Sequence, residues 1–409
     1  MPRTIIWLIS ALLLSTLLSV YYFIDINLLL PHSSVANLED SSHAKPVNST
    51  SPEPAKVLLV SAYFPLSKSK EVFAEHMKSL SFFLAPIKTD IYFFTPPEME
   101  QQVRTLRGGL PIVVNTSFAS LFDTAPMSPY KDSYTEMYKK DREKTVHSPR
   151  TYAIRNNKPF FLEQGLLNSL SEKHYDYAFW IDPLSFDRPH AYHFWPDPAR
   201  LDATWQQGSD SSGSKKENIV FVPMSNPPHP TMRFWSEAMG PIANDFSHSS
   251  LFGGKLPAVS WYKSVFYAYH NAYISPARGP HFVGKDESVM NAIMLLFPER
   301  FITVWAKNPN PQLVDEAYPT DHLPSELPLG TCGNPSTFYQ FFLASSPARD
   351  IMIENFKTDT SIWHNWPWKW KPMEWFHHRN NCQLPKTLGM IYVLKNTFGK
   401  GWQSPDSSI

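Results

Sequence analysis

Cysteine is nearly absent: among 409 residues only Cys332 and Cys382 occur. Two cysteines exclude a disulfide framework and their spacing excludes a zinc cluster, although in an oxidising compartment the two could pair. Glycine is scarce, at 15 residues. There is no Gly-x-Gly-x-x-Gly, phosphate-binding loop, His-Glu-x-x-His or Gly-x-Ser-x-Gly, which removes the usual signatures of dinucleotide binding, nucleotide hydrolysis, zinc proteolysis and serine hydrolysis. An excess of either charge is missing too. The 37 basic and 37 acidic residues cancel, so no overall field draws the chain to nucleic acid.

What is plentiful is proline, at 38 residues, roughly twice its average share, which implies stiff loops between elements. Apolar residues make up 43% of the chain, enough to bury the core of one large domain or two smaller ones. Residues 5–24 carry no charge, and twenty helical residues at 1.5 Å rise reach about 30 Å, the thickness of a bilayer's hydrocarbon core. Arg3 precedes this run while Asp25, Glu39 and Asp40 follow it, an arrangement that keeps the short amino end cytosolic. A cleaved signal peptide, with Ser34-Val35-Ala36 as a weak cleavage site, is the alternative and would secrete the protein. The expected order is therefore a cytosolic tail (1–4), a transmembrane signal anchor (5–24), a Ser- and Pro-rich stem (25–55) and a lumenal body (56–409), as in a type II membrane protein of the Golgi or endoplasmic reticulum. Asn48 and Asn115 stand in N-glycosylation acceptor patterns, which matter only on the lumenal side.

In the body, apolar runs at 57–63, 90–95 and 110–114 read as strands, with helical patterns at 69–84 and 97–107 between them. Strand and helix in alternation imply βαβ units and a mostly parallel sheet with flanking helices. A further helix from Pro159 leads into Tyr175-Asp176-Tyr177-Ala178-Phe179-Trp180-Ile181-Asp182, a largely aromatic and apolar strand that ends on Asp182. In open α/β sheets ligands bind outside the carboxyl ends of the strands, which makes Asp182 a candidate for chemistry. An Asp before Pro is equally an ordinary turn opener. Arg150, Arg155 and Lys158 lie just upstream, where cations could meet a phosphate or serve as loop charges. Residues 206–217 read as a mobile polar insert. The pair Gly253-Gly254, in a chain that spares glycine, suggests close backbone approach to a ligand or to another segment. Asp286 opens an apolar-periodic helix, where capping would explain it fully, although a carboxylate held there could also accept a proton. Trp363, Trp366, Trp368, Trp370 and Trp375, with His364 and Lys369, form an aromatic and basic run suited to packing, sugar rings or a membrane interface.

Ser61-Ala62-Tyr63-Phe64, Phe93-Phe94-Thr95-Pro96-Pro97, Phe179-Trp180-Ile181-Asp182, Phe252-Gly253-Gly254 and Gly284-Lys285-Asp286-Glu287-Ser288, in that order, resemble the HtrL/YibB family and its fungal relatives, which are similar to glycosyltransferases of the GT-A type. The resemblance runs from about Val57 to Trp305. It implies a GT-A-like (Rossmann-like) body with a nucleotide-binding half (56–186), an acceptor half (187–330) and an aromatic-rich extension (331–409). It also implies transfer of a sugar from a nucleotide-sugar donor to a glycan or glycoprotein acceptor. By resemblance Asp182 matches the first carboxylate of the Asp-x-Asp motif that holds Mn²⁺ or Mg²⁺ on the donor diphosphate. Arg155, Lys158, Gly253 and Gly254 become donor-binding residues, and Asp286 the catalytic base if the reaction inverts. Position 184 is Leu, so the second Asp of the motif is missing. The departure keeps a second reading open, a non-catalytic membrane-tethered glycan-binding or scaffold protein on a degenerate GT-A fold.

Overall fold

In the computed structural model the described residues are 53–66, 69–244, 246–275, 281–306, 309, 336–358 and 384–409. The anchor, the stem up to residue 52, both cysteines and the Trp-rich run lie outside them. No helix among the described residues is long and apolar enough to cross a membrane.

Eight strands make one sheet: β1 (Val57–Ala62), β2 (Asp90–Phe94), β3 (Ile112–Asn115), β4 (Tyr177–Ile181), β5 (Val220–Met224), β6 (Leu251–Gly254), β7 (Phe301–Trp305) and β8 (Leu388–Gly389). Their spatial order is β3-β2-β1-β4-β6-β5-β7-β8. The strands are parallel except β6 and β8, each of which runs antiparallel to its neighbours. The order grows outward from β1 to β3 and then resumes on the other side of β1 with β4, so a switch point lies between β1 and β4. There the hydroxyl of Ser61 donates to the Ile181 carbonyl at 2.8 Å, continuing the join beyond the last paired residues, Val60 and Trp180.

The strands are apolar almost throughout because both faces of the sheet are covered. Leu58, Val60, Tyr92, Ala178, Trp180 and Val222 face one core. Leu59, Ile91, Phe93, Phe179, Ile181 and Phe221 alternate onto the other. The first core packs under α4 (Pro149–Ser169), α6 (Leu256–Ile274) and α7 (Asp286–Leu296). The second lies under α1 (Lys70–Leu84), α2 (Glu100–Arg107), α5 (Pro198–Ser212), the short α8 (Phe338–Phe342) and α9 (Ser346–Thr358). The remaining helices are α3 (Lys131–Lys139) and α10 (Met390–Phe398). At the β2–β3 edge the buried Arg107 guanidinium donates to the carbonyls of Leu84, Ile87, Thr89 and Pro111, tying two helix ends to the sheet. Burial pushes its pKa down to about 10, with Asp90 partly opposing, so it stays charged.

Three local expectations change. The helix before β4 starts at Pro149, not Pro159; Ser148 caps it by accepting from the Thr151 N–H, and Arg150, Arg155 and Lys158 are therefore helical. Pro159 sits inside the helix, where it removes one N–H, and the Tyr267 hydroxyl donates to the nearby Asn156 carbonyl at 2.8 Å. Much of the stretch read as a mobile insert is the carboxyl end of α5, closed by Gly213 in the left-handed conformation at φ 73°. The Asn115 side chain, in its acceptor pattern, is engaged at the end of β3, donating to the Tyr92 hydroxyl and accepting from the Ser117 N–H.

Gly253 and Gly254 are the third change, since they form part of a strand. Gly253 opposes Phe179 and Gly254 opposes Ala178. A Cβ on Gly253 would lie 2.2 Å from the Ala178 carbonyl oxygen, and one on Gly254 2.6 Å from that of Ile219. The close approach is to other segments of the sheet. Gly253→Ala should therefore cost at least about 1–3 kcal/mol by forcing strands apart, a loss measurable by urea unfolding in the absence of any ligand.

Candidate functional site

The crevice outside the carboxyl ends of β1 and β4 gathers residues from three parts of the chain. Asp182 follows β4. Its N–H donates to the Ser250 carbonyl at 2.8 Å, extending the β4–β6 ladder by one step. Its carboxylate Oδ1 accepts from the Leu184 N–H at 3.0 Å and so opens the turn at 183–185. The turn-opening role is thus real, and Oδ2 is left for other contacts. Across the turn, Gln340 donates to the Ser185 carbonyl at 2.9 Å, and Tyr339 stands beside it, buried.

Behind Asp182 lies a buried charge cluster. Lys158, on α4, places its ammonium 2.8 Å from Asp286 Oδ2 and 2.6 Å from the Ser249 hydroxyl. Ser249 in turn donates to Glu287 Oε1 at 2.6 Å. Asp286 and Glu287 are the first two residues of α7, where carboxylates also meet the positive end of the helix. The cap position is Lys285, and no side chain caps this helix. The capping role expected for Asp286 is not the one it plays; its side chain turns inward to Lys158.

The two carboxyls differ. Burial, then the negative charge of Glu287, raises Asp286 to about 7, with Lys158 pulling the other way. Burial would raise Glu287 as well, but Lys158, Asp286 and Ser249 together hold it down at about 2. The pair therefore shares one proton, kept on Asp286 below neutral pH. Asp286 Oδ1 is buried and no donor reaches it; a proton on the pair is held between Asp286 and Glu287, which hydrogen-bond to each other. On Lys158, burial is outweighed by Asp286, Glu287 and Asp182, and its pKa is raised. His248 completes the wall, its ring 6.2 Å from that of Tyr339. Burial lowers its pKa, with Glu287 opposing and Lys158 assisting.

Arg155 sits one helical turn before Lys158 and faces a different group. Asp141 Oδ2 accepts from His147 Nδ1 at 2.8 Å and from the Tyr152 hydroxyl in a short bond. Arg155 Nη1 lies 3.3 Å from His147 Nε2 and 3.5 Å from the Gly284 carbonyl. Lys285 lies 3.4 Å from Glu143. This corner braces the turn just before α7. Asp141, Glu143 and His147 bring three possible metal-ligating atoms within 4.8 Å of one another, the one such group among the described residues. A metal on His147 Nδ1 would move the ring proton to Nε2, where it would point at the Arg155 guanidinium, itself only a donor. The arrangement suits a proton on Nδ1 better than a metal.

Of the expected site residues, the structure brings Asp182, Lys158 and Asp286 together. Arg155 stands beside them at the corner. Gly253, three residues back along the ladder from the Asp182 level, lies about 10 Å away at ~3.4 Å per residue. Lys158 is the counter-ion of Asp286 rather than a cation waiting for phosphate. Glu287, Ser249 and His248 were not anticipated. The one available signal was Glu287 directly after Asp286 at a helix start.

No family model and no curated protein matches the chain. Among solved structures it is similar to the crystal structure of mouse xyloside xylosyltransferase 1 in its apo form, with 10% identity and a TM-score of 0.36 over 60% of this chain and 84% of that one.

Two predictions follow from the charge cluster. Lys158→Met leaves buried carboxylates without their cation and should cost about 3–5 kcal/mol in urea unfolding, part of which Asp286→Asn restores in the double variant. The raised Asp286 contributes stability that is full below its unfolded pKa of about 3.9 and is lost as pH rises through its folded pKa. The lowered Glu287 acts oppositely, its contribution lost as pH falls from about 4.3 through its folded pKa. Thermal melting should thus fall between pH 5 and pH 7.5 in the wild type, and fall less in Asp286→Asn.

Proposed function

We propose that this protein is a glycosyltransferase of the GT-A type, transferring a sugar from a nucleotide-sugar donor to a glycan or glycoprotein acceptor, with the donor in the crevice at Asp182. The observation that carries the reading is the convergence of Asp182, Lys158, Asp286 and Glu287 at the switch point between β1 and β4, where open α/β sheets bind nucleotides. The motif order that resembles the HtrL/YibB family supports it. So does the mostly parallel sheet covered by helices on both faces.

Asp182 is the residue that would hold Mn²⁺ or Mg²⁺. It offers one carboxylate, and magnesium-type sites are commonly made from one or two carboxylates completed by the substrate's phosphates. Such an ion, when bound, offsets the charge of the departing nucleoside diphosphate. Arg155, with no carboxylate partner among the described residues, is the α4 cation we assign to a donor phosphate. Lys158 neutralises the carboxyl pair and fixes α7 against α4. In the cell we place this body on the lumenal side of a Golgi or endoplasmic reticulum membrane, held by the 5–24 anchor and its stem.

One observation favours the second reading, a binding or scaffold protein that keeps the fold without the chemistry: Asp182 spends Oδ1 on its own turn, and no second carboxylate stands at position 184. Calorimetric titration of nucleotide sugars with and without Mn²⁺ separates the two. The transferase reading expects metal-dependent binding that weakens at least about tenfold, or roughly 1.4 kcal/mol, in Asp182→Ala. Unchanged binding in that variant removes Asp182 from the donor site, and glycan binding without nucleotide-sugar turnover establishes the second reading.

A further inference from the structure

We infer that Glu287, rather than its neighbour Asp286, is the carboxylate that contacts the sugar of the donor, and that Asp286 and Lys158 position it. The inference rests on the transferase reading and assigns the sugar-facing group within it. Adjacent in sequence, the two side chains differ in exposure and in the partner that holds them. Asp286 is 2% exposed, and its Oδ2 is held by Lys158 at 2.8 Å. A substrate hydroxyl could reach it only by breaking that ion pair. Glu287 is partly buried, with Oε1 fixed by Ser249 at 2.6 Å.

The position of Ser249 relates Glu287 to Asp182. Ser250 accepts from the Asp182 N–H, and Ser249, the residue before it, donates to Glu287. The dipeptide Ser249-Ser250 therefore links Glu287 to the backbone of Asp182. The ammonium of Lys158 and the start of α7 keep Glu287 ionised despite burial. An ionised carboxylate accepts but cannot donate, and it has lone pairs to spare beyond the bond from Ser249. That chemistry suits sugar hydroxyls. Asp286, holding the shared proton, braces Glu287 from behind.

The test is calorimetric binding of UDP and GDP, and of UDP-glucose and GDP-mannose, to the full chain with Mn²⁺ present. Glu287→Gln should leave nucleoside diphosphate affinity within about twofold and weaken the sugar conjugate roughly 10- to 100-fold, the loss expected for a hydrogen bond to a charged group. Asp286→Asn, which disturbs the group that positions Glu287, should weaken the sugar conjugate clearly less than Glu287→Gln does. Glu287→Asp keeps the charge but retracts it by one methylene, and a selective loss of the sugar conjugate there decides the question should the Gln variant not fold. Equal effects on both ligand types in the Glu287 variants, or a selective loss in Asp286→Asn as large as that in Glu287→Gln, overturn the assignment. A wild type that binds neither diphosphates nor their conjugates overturns the transferase reading, and this assignment with it.

Discussion

The ion pair between Lys158 and Asp286 is the contact on which the arrangement of the site depends. It joins the middle of α4 to the first residue of α7 across 128 positions of sequence, from Lys158 to Asp286. Burying one ammonium against two carboxyls is expensive unless every group is compensated. The compensation is visible: Ser249 bridges Lys158 and Glu287, and a shared proton removes one negative charge. An apolar contact of the same volume would pack as well, but it would leave the start of α7 free to choose its rotation. The polar contact pairs one side chain of α7 with one of α4, so the start of α7 is tied to Lys158 through Asp286.

The sheet makes that contact possible. Because β4 follows on the far side of β1 instead of continuing beyond β3, its carboxyl end opens onto a gap that no βα connection fills. The antiparallel β6 then delivers Ser249 and Ser250 to the same end. A parallel strand in that place would have presented its carboxyl end there instead. The need for β6 to fit between β4 and β5 also explains its glycines, since a side chain at either position would strike a neighbouring carbonyl.

What the sequence made legible was whatever depends on local pattern. The runs at 57–62 and 90–94 are apolar because both faces of a parallel sheet are buried, and that signal needs no knowledge of partners. Asp182 was legible for the same reason, as the first charge after such a run. Strand direction and pairing are not local. Leu251-Phe252-Gly253-Gly254 has too few residues to show a period, and its glycines pointed to close approach without saying whether to a ligand or to another segment. Pro159 marked a helix start by its ordinary preference, whereas buried packing carries the helix through it from Ser148. Lys158 and Asp286 each carried a plausible local role, phosphate cation and helix cap, and each role gave way once the two proved to be partners. Glu287 and Ser249 acquire meaning only through that partnership.

The charge balance of the cluster bears on the missing second Asp. Lys158 supplies one positive charge against the carboxylates of Asp182 and Glu287, so with the proton on Asp286 the cluster carries one net negative charge, and two once that proton leaves. A diphosphate brought to this crevice meets repulsion from the protein's own groups. Arg155 offers one guanidinium at the edge, already leaning on His147 and Gly284. A divalent cation between Asp182 and the phosphates would turn the repulsion into attraction, and a second Asp at position 184 would add more negative charge to a site that has a surplus.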